Sequence, residues 1–233
     1  MQAYTNTTFL DKRAKIARYT SFAGLGALVG GVLTVASTIW LSYALLVVGL
    51  ITATIAAYLT NVYLREPRAD KVLARVLDGL DKRYALFSYY LPSPHVVVSH
   101  RGLTVIQAQS QRGDIAVEGG RWKHRVGWRR VMQFFGEPGL GRPDMDLQHE
   151  MAKMRQWLAK HYPAAEMPVT GAVVFVHPEA KLSITDPTVP VMRAEDLPEF
   201  FRRGLRDTAI LSTAEQTDLR KVVDGLVQTA DQG

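Results

Sequence analysis

Residues 112–130 read RGDIAVEGGRWKHRVGWRR and mix cations with indole rings. Arg112, Arg121, Lys123, Arg125, Arg129 and Arg130 supply positive charge, and Trp122 and Trp128 are interleaved with them. Cations can track a phosphate backbone while aromatic faces stack on bases, so these eight residues are the candidates for binding nucleic acid. Two other readings fit the same residues. A solvated hairpin would pack the indoles on its core and cover them with Arg stems. At a membrane surface the same charges would meet anionic lipid.

Other chemistries are limited by residue type. The absence of Cys removes disulfides, thiolate metal sites and a Cys nucleophile. The six His residues show no metal-ligand spacing. His95 and His100, five apart, would leave opposite faces of a continuous strand, so their expected role is structural. Ser99-His100 near Ser110 lacks the G-x-S-x-G turn of a hydrolase nucleophile. GLGALVGG lies within a long apolar block, where its glycines read as helix packing instead of a phosphate cradle. Asp114 and Glu118 border Gly119-Gly120 and read as a hairpin rim, although with Asp70 they form a conceivable acid cluster. No metal site is assigned.

The elements that would position these residues follow from periodicity. Val72, Leu73, Val76, Leu77 and Leu80 give a helix over residues 69–80. Strands are expected at 85–90, 95–99, 103–108 and 114–118. An amphipathic helix over 146–161 sets Met151, Met154, Trp157 and Leu158 on one face. Strands at 169–177 and 189–192 and helices at 197–205 and 213–227 complete the pattern, with Ser212-x-x-Glu215 as a capping box. Residues 136–143 (GEPGLGRP) read as a loop. The order predicts an α/β domain with a mixed sheet covered by helices.

Upstream the composition changes. No charged residue stands between Arg18 and Arg65. A block of that length is about twice what one bilayer crossing needs, so it reads as two helices, near 22–37 and 41–63. Ser37, Thr38 and Ser42 mark the turn, Trp40 and Tyr43 suit the interface, and Gly26-x-x-x-Gly30 is a candidate close-approach motif. Lys12, Arg13, Lys15 and Arg18 precede the block, and Arg65, Arg68, Lys71 and Arg75 follow it. The positive-inside rule then places both termini in the cytoplasm, in a multi-pass protein of the cytoplasmic (inner) membrane. The domains expected are a cytoplasmic segment over 1–20, a transmembrane hairpin over 21–64 and a cytoplasmic domain over 65–233. Mean hydropathy of -0.02 averages these opposed parts, and the net charge of +6 divides into +3 before the block and +3 after it.

The soluble stretch resembles the nuclease-related domain family, which has a restriction-endonuclease-like fold. The residues that carry the resemblance are LDGL (77–80), HVVVSHRGLTVIQAQSQRGDI (95–115), Gly120-Arg121-Trp122, a helix with Gln148, and GAVVF (171–175). The family pattern has an Asp before the first of these strands and Glu-x-Lys at the end of the next. The carboxylates hold a hard divalent ion, and the Lys orients or activates water. Here those positions are Pro94, Gln107 and Gln109, and the family's helix acid would fall at Asp70. The resemblance therefore implies a catalytically inactive relative with no cofactor and a binding or scaffold role at the lipid bilayer. Its ligand would be nucleic acid, through residues 112–130, or a membrane protein partner. The alternatives are an active Mg²⁺-dependent nuclease with a relocated acid cluster, and a structural subunit of a membrane complex.

Overall fold

A computed structural model describes residues 1–125, 139–162, 167–203 and 211–231. These fall into two compact units: Thr7–Glu66, and Met1–Asn6 together with the described residues from Pro67 onward.

The first unit is a pair of antiparallel helices, α1 (Thr7–Leu33) and α2 (Ile39–Tyr63), joined by residues 34–38. Both are long and apolar enough to cross a membrane. At 1.5 Å per residue they measure about 40 and 37 Å, against roughly 30 Å of bilayer hydrocarbon. α1 begins well before the apolar block and carries the upstream cations on its first turns. Among the described residues, every large apolar side chain found exposed, apart from Met145 and Ile184, lies between Ile16 and Leu64.

Small residues make the seam between the helices. Ala17, Gly24 and Gly31 on α1 and Ser42, Gly49 and Ala56 on α2 are buried, each set spaced by seven. A seven-residue repeat keeps one stripe turned toward a neighbouring helix. A Cβ on Gly49 would lie 2.8 Å from Leu28 Cγ and 2.9 Å from the Leu28 backbone nitrogen. One on Gly24 would lie 3.0 Å from the backbone nitrogen of Ala53. The absence of side chains is what lets the backbones approach.

Gly26-x-x-x-Gly30 does not serve this purpose, contrary to expectation. A Cβ on Gly26 would meet nothing within 4 Å, because the stripe facing α2 runs through Gly24 and Gly31 instead. Ser42 is also not in the turn. It is buried in α2, where its hydroxyl donates to the Gly31 carbonyl at 2.6 Å. At the other end Phe9 meets Tyr63 edge-on at 5.8 Å, and the Arg13 guanidinium lies over both rings.

The second unit is α/β. Its elements are β1 (Gln2–Thr5), α3 (Ala69–Leu77), β2 (Ala85–Ser88), β3 (His95–Ser99), β4 (Gly102–Gln109), β5 (Gly113–Glu118), β6 (Arg121–Arg125), α4 (Pro143–His161), β7 (Val169–Phe175), β8 (Ala180–Thr185), β9 (Val191–Arg193), α5 (Leu197–Arg203) and α6 (Thr213–Asp231). A six-stranded mixed sheet runs β1-β2-β3-β4-β7-β9, and a three-stranded sheet runs β6-β5-β8. β2, β3 and β4 form an antiparallel meander, and β7 returns parallel to β4 after α4.

The larger sheet is covered on both faces, which is why HVVVS is buried at every position. Leu86, Val97, Ile106 and Val174 pack with Leu73 and Leu77 of α3 and with Leu197 and Phe201 of α5. Phe87, Val96, Val105, Val173 and Phe175 pack with Leu147, Met154 and Leu158 of α4 and with Ile115 and Val117 of β5. The capping box forms as expected: Glu215 Oε2 accepts from the Ser212 amide at 2.7 Å, and Ser212 Oγ accepts from the Glu215 amide at 3.3 Å.

Gly49→Val is expected to weaken the hairpin by about 1–3 kcal/mol through overpacking. Gly26→Val should leave it unchanged. Titration of the purified protein with SDS, followed by helical circular dichroism, reads both; equal midpoints would place the seam elsewhere.

Candidate functional site

β3 and β4 are antiparallel neighbours, so the head of one lies beside the tail of the other. Val96 pairs with Val105, and continuing that register by two positions sets Pro94 opposite Gln107. Alternation along β4 sends Gln107 and Gln109 to the face of Leu103 and Val105. Pro94 is exposed, and its carbonyl accepts from the Tyr89 amide at 2.8 Å. Gln107 is half-buried beside Val173; Gln109 is buried beside Phe175. Gln107 and Gln109 thus share one face at the end of β4, Pro94 precedes the neighbouring end of β3, and none of the three carries charge.

Asp70 does not join them. It opens α3, which packs on the opposite face, among Leu86, Val97 and Ile106. Its buried carboxylate is held by its own neighbour: Arg68 Nε reaches Oδ1 at 3.1 Å and Nη2 reaches Oδ2 at 2.7 Å. Sequence reasoning missed a different acid near the head of β3. Ser93, next to Pro94, donates its hydroxyl to the backbone carbonyl of Glu150 on α4 at 3.0 Å. The Glu150 carboxylate pairs with Lys153 through Oε1, while its buried Oε2 has no hydrogen-bond partner. The helical spacing Glu150-x-x-Lys153 was the signal available in the sequence.

The relocated acid cluster does not assemble. Asp114 and Glu118 leave the outward face of β5 about 13 Å apart, while Asp70 lies on α3, which covers one face of the larger sheet. Asp114 stands opposite Arg125 and Lys181, and Glu118 opposite Arg121 and Thr185. Their cross-strand neighbours make them sheet-pairing residues. Among the described residues no group of three or more His, Asp or Glu is placed to hold a metal ion.

The basic stretch is a hairpin whose turn is Gly119-Gly120, both with positive φ (50° and 77°), as a two-residue turn demands. Arg121, Lys123 and Arg125 alternate outward on β6 and are exposed. Trp122 points inward, its ring 6.5 Å from Phe175. Alternation therefore removes Trp122 from the face of the cations and makes it a core residue, so the stacking role expected of it is not supported by its position. Arg112 is half-buried before β5, and its carbonyl pairs with His124 Nε2 at 2.8 Å. Lys181, on β8, shares the outward face and was not foreseen. Trp128, Arg129 and Arg130 lie outside the described residues.

His95 is buried between sheet and helix. Its Nδ1 lies 3.1 Å from Ser88 Oγ, and its ring meets Tyr89 edge-on at 5.1 Å. Desolvation pushes its pKa down to about 4, against the opposing pull of the Asp70 charge. Ser88 is fully buried, so this pair is structural and has no route to a substrate. Ser99 is likewise a turn residue, donating to Gly102 O at 3.3 Å and accepting from the Arg101 amide at 3.2 Å. Burial, and after it the charges of Arg83 and Arg101, lower the pKa of His100.

No protein-family model, no curated protein and no solved structure matches the chain.

The depressed pKa of His95 has a sign. Below about 6.5 the unfolded chain binds a proton that the folded chain refuses until about 4, so stability falls as pH drops through that window. The full loss is on the order of 3 kcal/mol, of which about 2 kcal/mol falls between pH 7 and pH 5. Urea unfolding in detergent at pH 7 and pH 5, followed by Trp fluorescence, should show that loss shrink in His95→Phe. An equal pH dependence in both proteins would remove His95 as its source.

Proposed function

We propose that the chain is an inner-membrane protein in which α1 and α2 form a transmembrane hairpin with both ends in the cytoplasm. Its α/β unit is a restriction-endonuclease-like domain related to the nuclease-related family. That domain has lost metal chemistry and serves as a binding module or scaffold at the membrane, for nucleic acid or a partner protein.

The observation that supports the loss of catalysis is that the neighbouring ends of antiparallel β3 and β4 carry Pro94, just before β3, and Gln107 and Gln109 on one face of β4. The family pattern needs its Asp and its Glu-x-Lys on adjoining strand ends, and antiparallel pairing supplies that proximity. Yet Pro94 offers no side-chain ligand atom, and two neutral amides cannot offset the dehydration of Mg²⁺. Restoring the pattern with Pro94→Asp, Gln107→Glu and Gln109→Lys together is expected to create Mn²⁺ binding, detectable by calorimetry, that the parent lacks. Cleavage of labelled DNA by the parent in Mg²⁺ or Mn²⁺ would overturn the inactive reading.

The hairpin rests on two supports. The exposed apolar side chains of residues 16–64 have no counterpart elsewhere among the described residues beyond Met145 and Ile184. Lipid would cover them. Second, β1 precedes the hairpin and pairs in parallel with β2, which follows it. A backbone ladder cannot form through hydrocarbon, so both strands belong on one side of the bilayer and the crossings are even in number. The cation pattern puts that side in the cytoplasm.

The chain has no Cys, so single substitutions report cleanly. Ser37→Cys, in the turn, should react in intact cells with a membrane-impermeant maleimide. Ser183→Cys, exposed on β8, should react only after permeabilisation. The reverse pattern would invert the topology, and equal labelling of both in intact cells would exclude it.

The outward face of the small sheet presents Arg121, Lys123, Arg125 and Lys181 around Asp114 and Glu118. Its cations suit phosphate contact, and its interleaved acids restrict the net charge available for it.

A further inference from the structure

The first three turns of α1 carry a set of cations that the hairpin's own packing does not use. Lys12, Lys15 and Arg18 are exposed, whereas Arg13 is turned to the rings of Phe9 and Tyr63. At about 100° per residue, the three exposed cations span about 120° of the helix surface. The seam residues Leu10, Ala17, Gly24 and Gly31 occupy the opposite side. The cations therefore continue the outward stripe that runs on through Phe22, Val29 and Leu33, all exposed. From Lys12 to Arg18 the helix rises about 9 Å. That is close to the thickness of one headgroup layer, roughly 5–8 Å beyond the hydrocarbon. Asp11 is the only acid in α1. At the same end of the pair, Arg65 follows α2 and is exposed, with Nη1 3.4 Å from Asn61 Oδ1.

We propose that Lys12, Lys15 and Arg18 form a binding strip for anionic phospholipid headgroups, recruiting a ring of negatively charged lipid to the cytoplasmic base of the hairpin. The inference rests on the transmembrane reading. The argument is geometric and electrostatic. An apolar stripe fixes the depth of α1, and its continuation toward the cytoplasm is cationic over the height of the phosphate layer. Long Lys and Arg stems reach that layer while their methylenes stay against acyl chains. Each such cation is attracted to an anionic surface.

The test uses the full chain in nanodiscs of phosphatidylcholine with a minority of spin-labelled phosphatidylglycerol or spin-labelled phosphatidylcholine. The parent should immobilise phosphatidylglycerol several-fold more than phosphatidylcholine, and the preference should fall with salt. Lys12→Gln, Lys15→Gln and Arg18→Gln combined should bring the ratio close to one. Lys12→Arg with Lys15→Arg should preserve it, and Asp11→Asn should raise it. Lys221→Gln, on α6, should leave it alone. A ratio near one in the parent, or one that the triple substitution leaves intact, would overturn the proposal while the hairpin stands. Release of the chain from membranes by alkaline carbonate would instead overturn the transmembrane reading, and the lipid strip with it. Duplex DNA that binds the nanodisc-held parent, loses affinity in the triple variant and meets no lipid preference would assign the strip to nucleic acid and overturn the proposal.

Discussion

The parallel pairing of Gln2–Thr5 with Ala85–Ser88 constrains everything else in this chain. Between these partners in sequence lie both long apolar helices. One residue, Asn6, separates β1 from α1, and it is itself tied down. Its amide donates to Ser88 O at 3.0 Å, and its side chain donates to Tyr89 O at 3.3 Å. Tyr4 stacks on Phe87 at 5.1 Å, so the strand is anchored by side chain as well as backbone. In the proposed bilayer setting, hairpin insertion and completion of the sheet become one folding problem. The first strand made must wait for a partner that emerges only after both helices.

The two units solve opposite packing problems. In the α/β unit large side chains go inward, and the central strands are buried on both faces. In the helix pair large side chains go outward and small ones line the contact. Water rewards the first arrangement. In the proposed bilayer, where tails are as apolar as Leu, close backbone approach and hydrogen bonds such as that from Ser42 to Gly31 would do the work. The inverted pattern is informative because it concerns which side chains are left outside, not how hydrophobic the segment is.

Much of this was legible in the residues. The charge-free run announced two helices, and period-two and helical patterns found β3, β4, β7 and α4 close to their observed ends. Three strands were missed for identifiable reasons. Gln2–Thr5 is a polar edge strand with nothing periodic about it, and its partner lies some eighty residues away. Arg121–Arg125 alternates cations with Trp122 and His124, and it was read only as one arm of an alternative hairpin around Gly119-Gly120, without bounds of its own. Ala180–Thr185 follows Pro178-Glu179 and has only Ala180 fully buried. The seven-residue seam of Gly24, Gly31 and Gly49 was hidden by a more familiar glycine spacing. Face assignment was the other limit. Only the structure shows that Asp70 and Gln109 lie on opposite sides of the sheet, because that depends on which helix covers which face.

The neutral residues at the ends of β3 and β4 are physically consistent as a set. Gln109 is buried against the row of Val105 and Phe175. A Lys there would bring a cation out of water, and an unpaired buried cation is strongly unfavourable. It would need a carboxylate beside it, and position 107, two residues along the same face, is where one would stand. With Gln at 107 no such partner is present, and a charged 109 would be a liability. A neutral amide at 109 keeps hydrogen-bonding capacity without the Born cost. The same logic applies in reverse at Pro94: without a metal, an acid at that position would face no cation. A neutral residue at one of these positions therefore favours neutral residues at the others. The core around them can stay intact because Val96, Val105 and Val173 pack through methyl groups that no charge change touches.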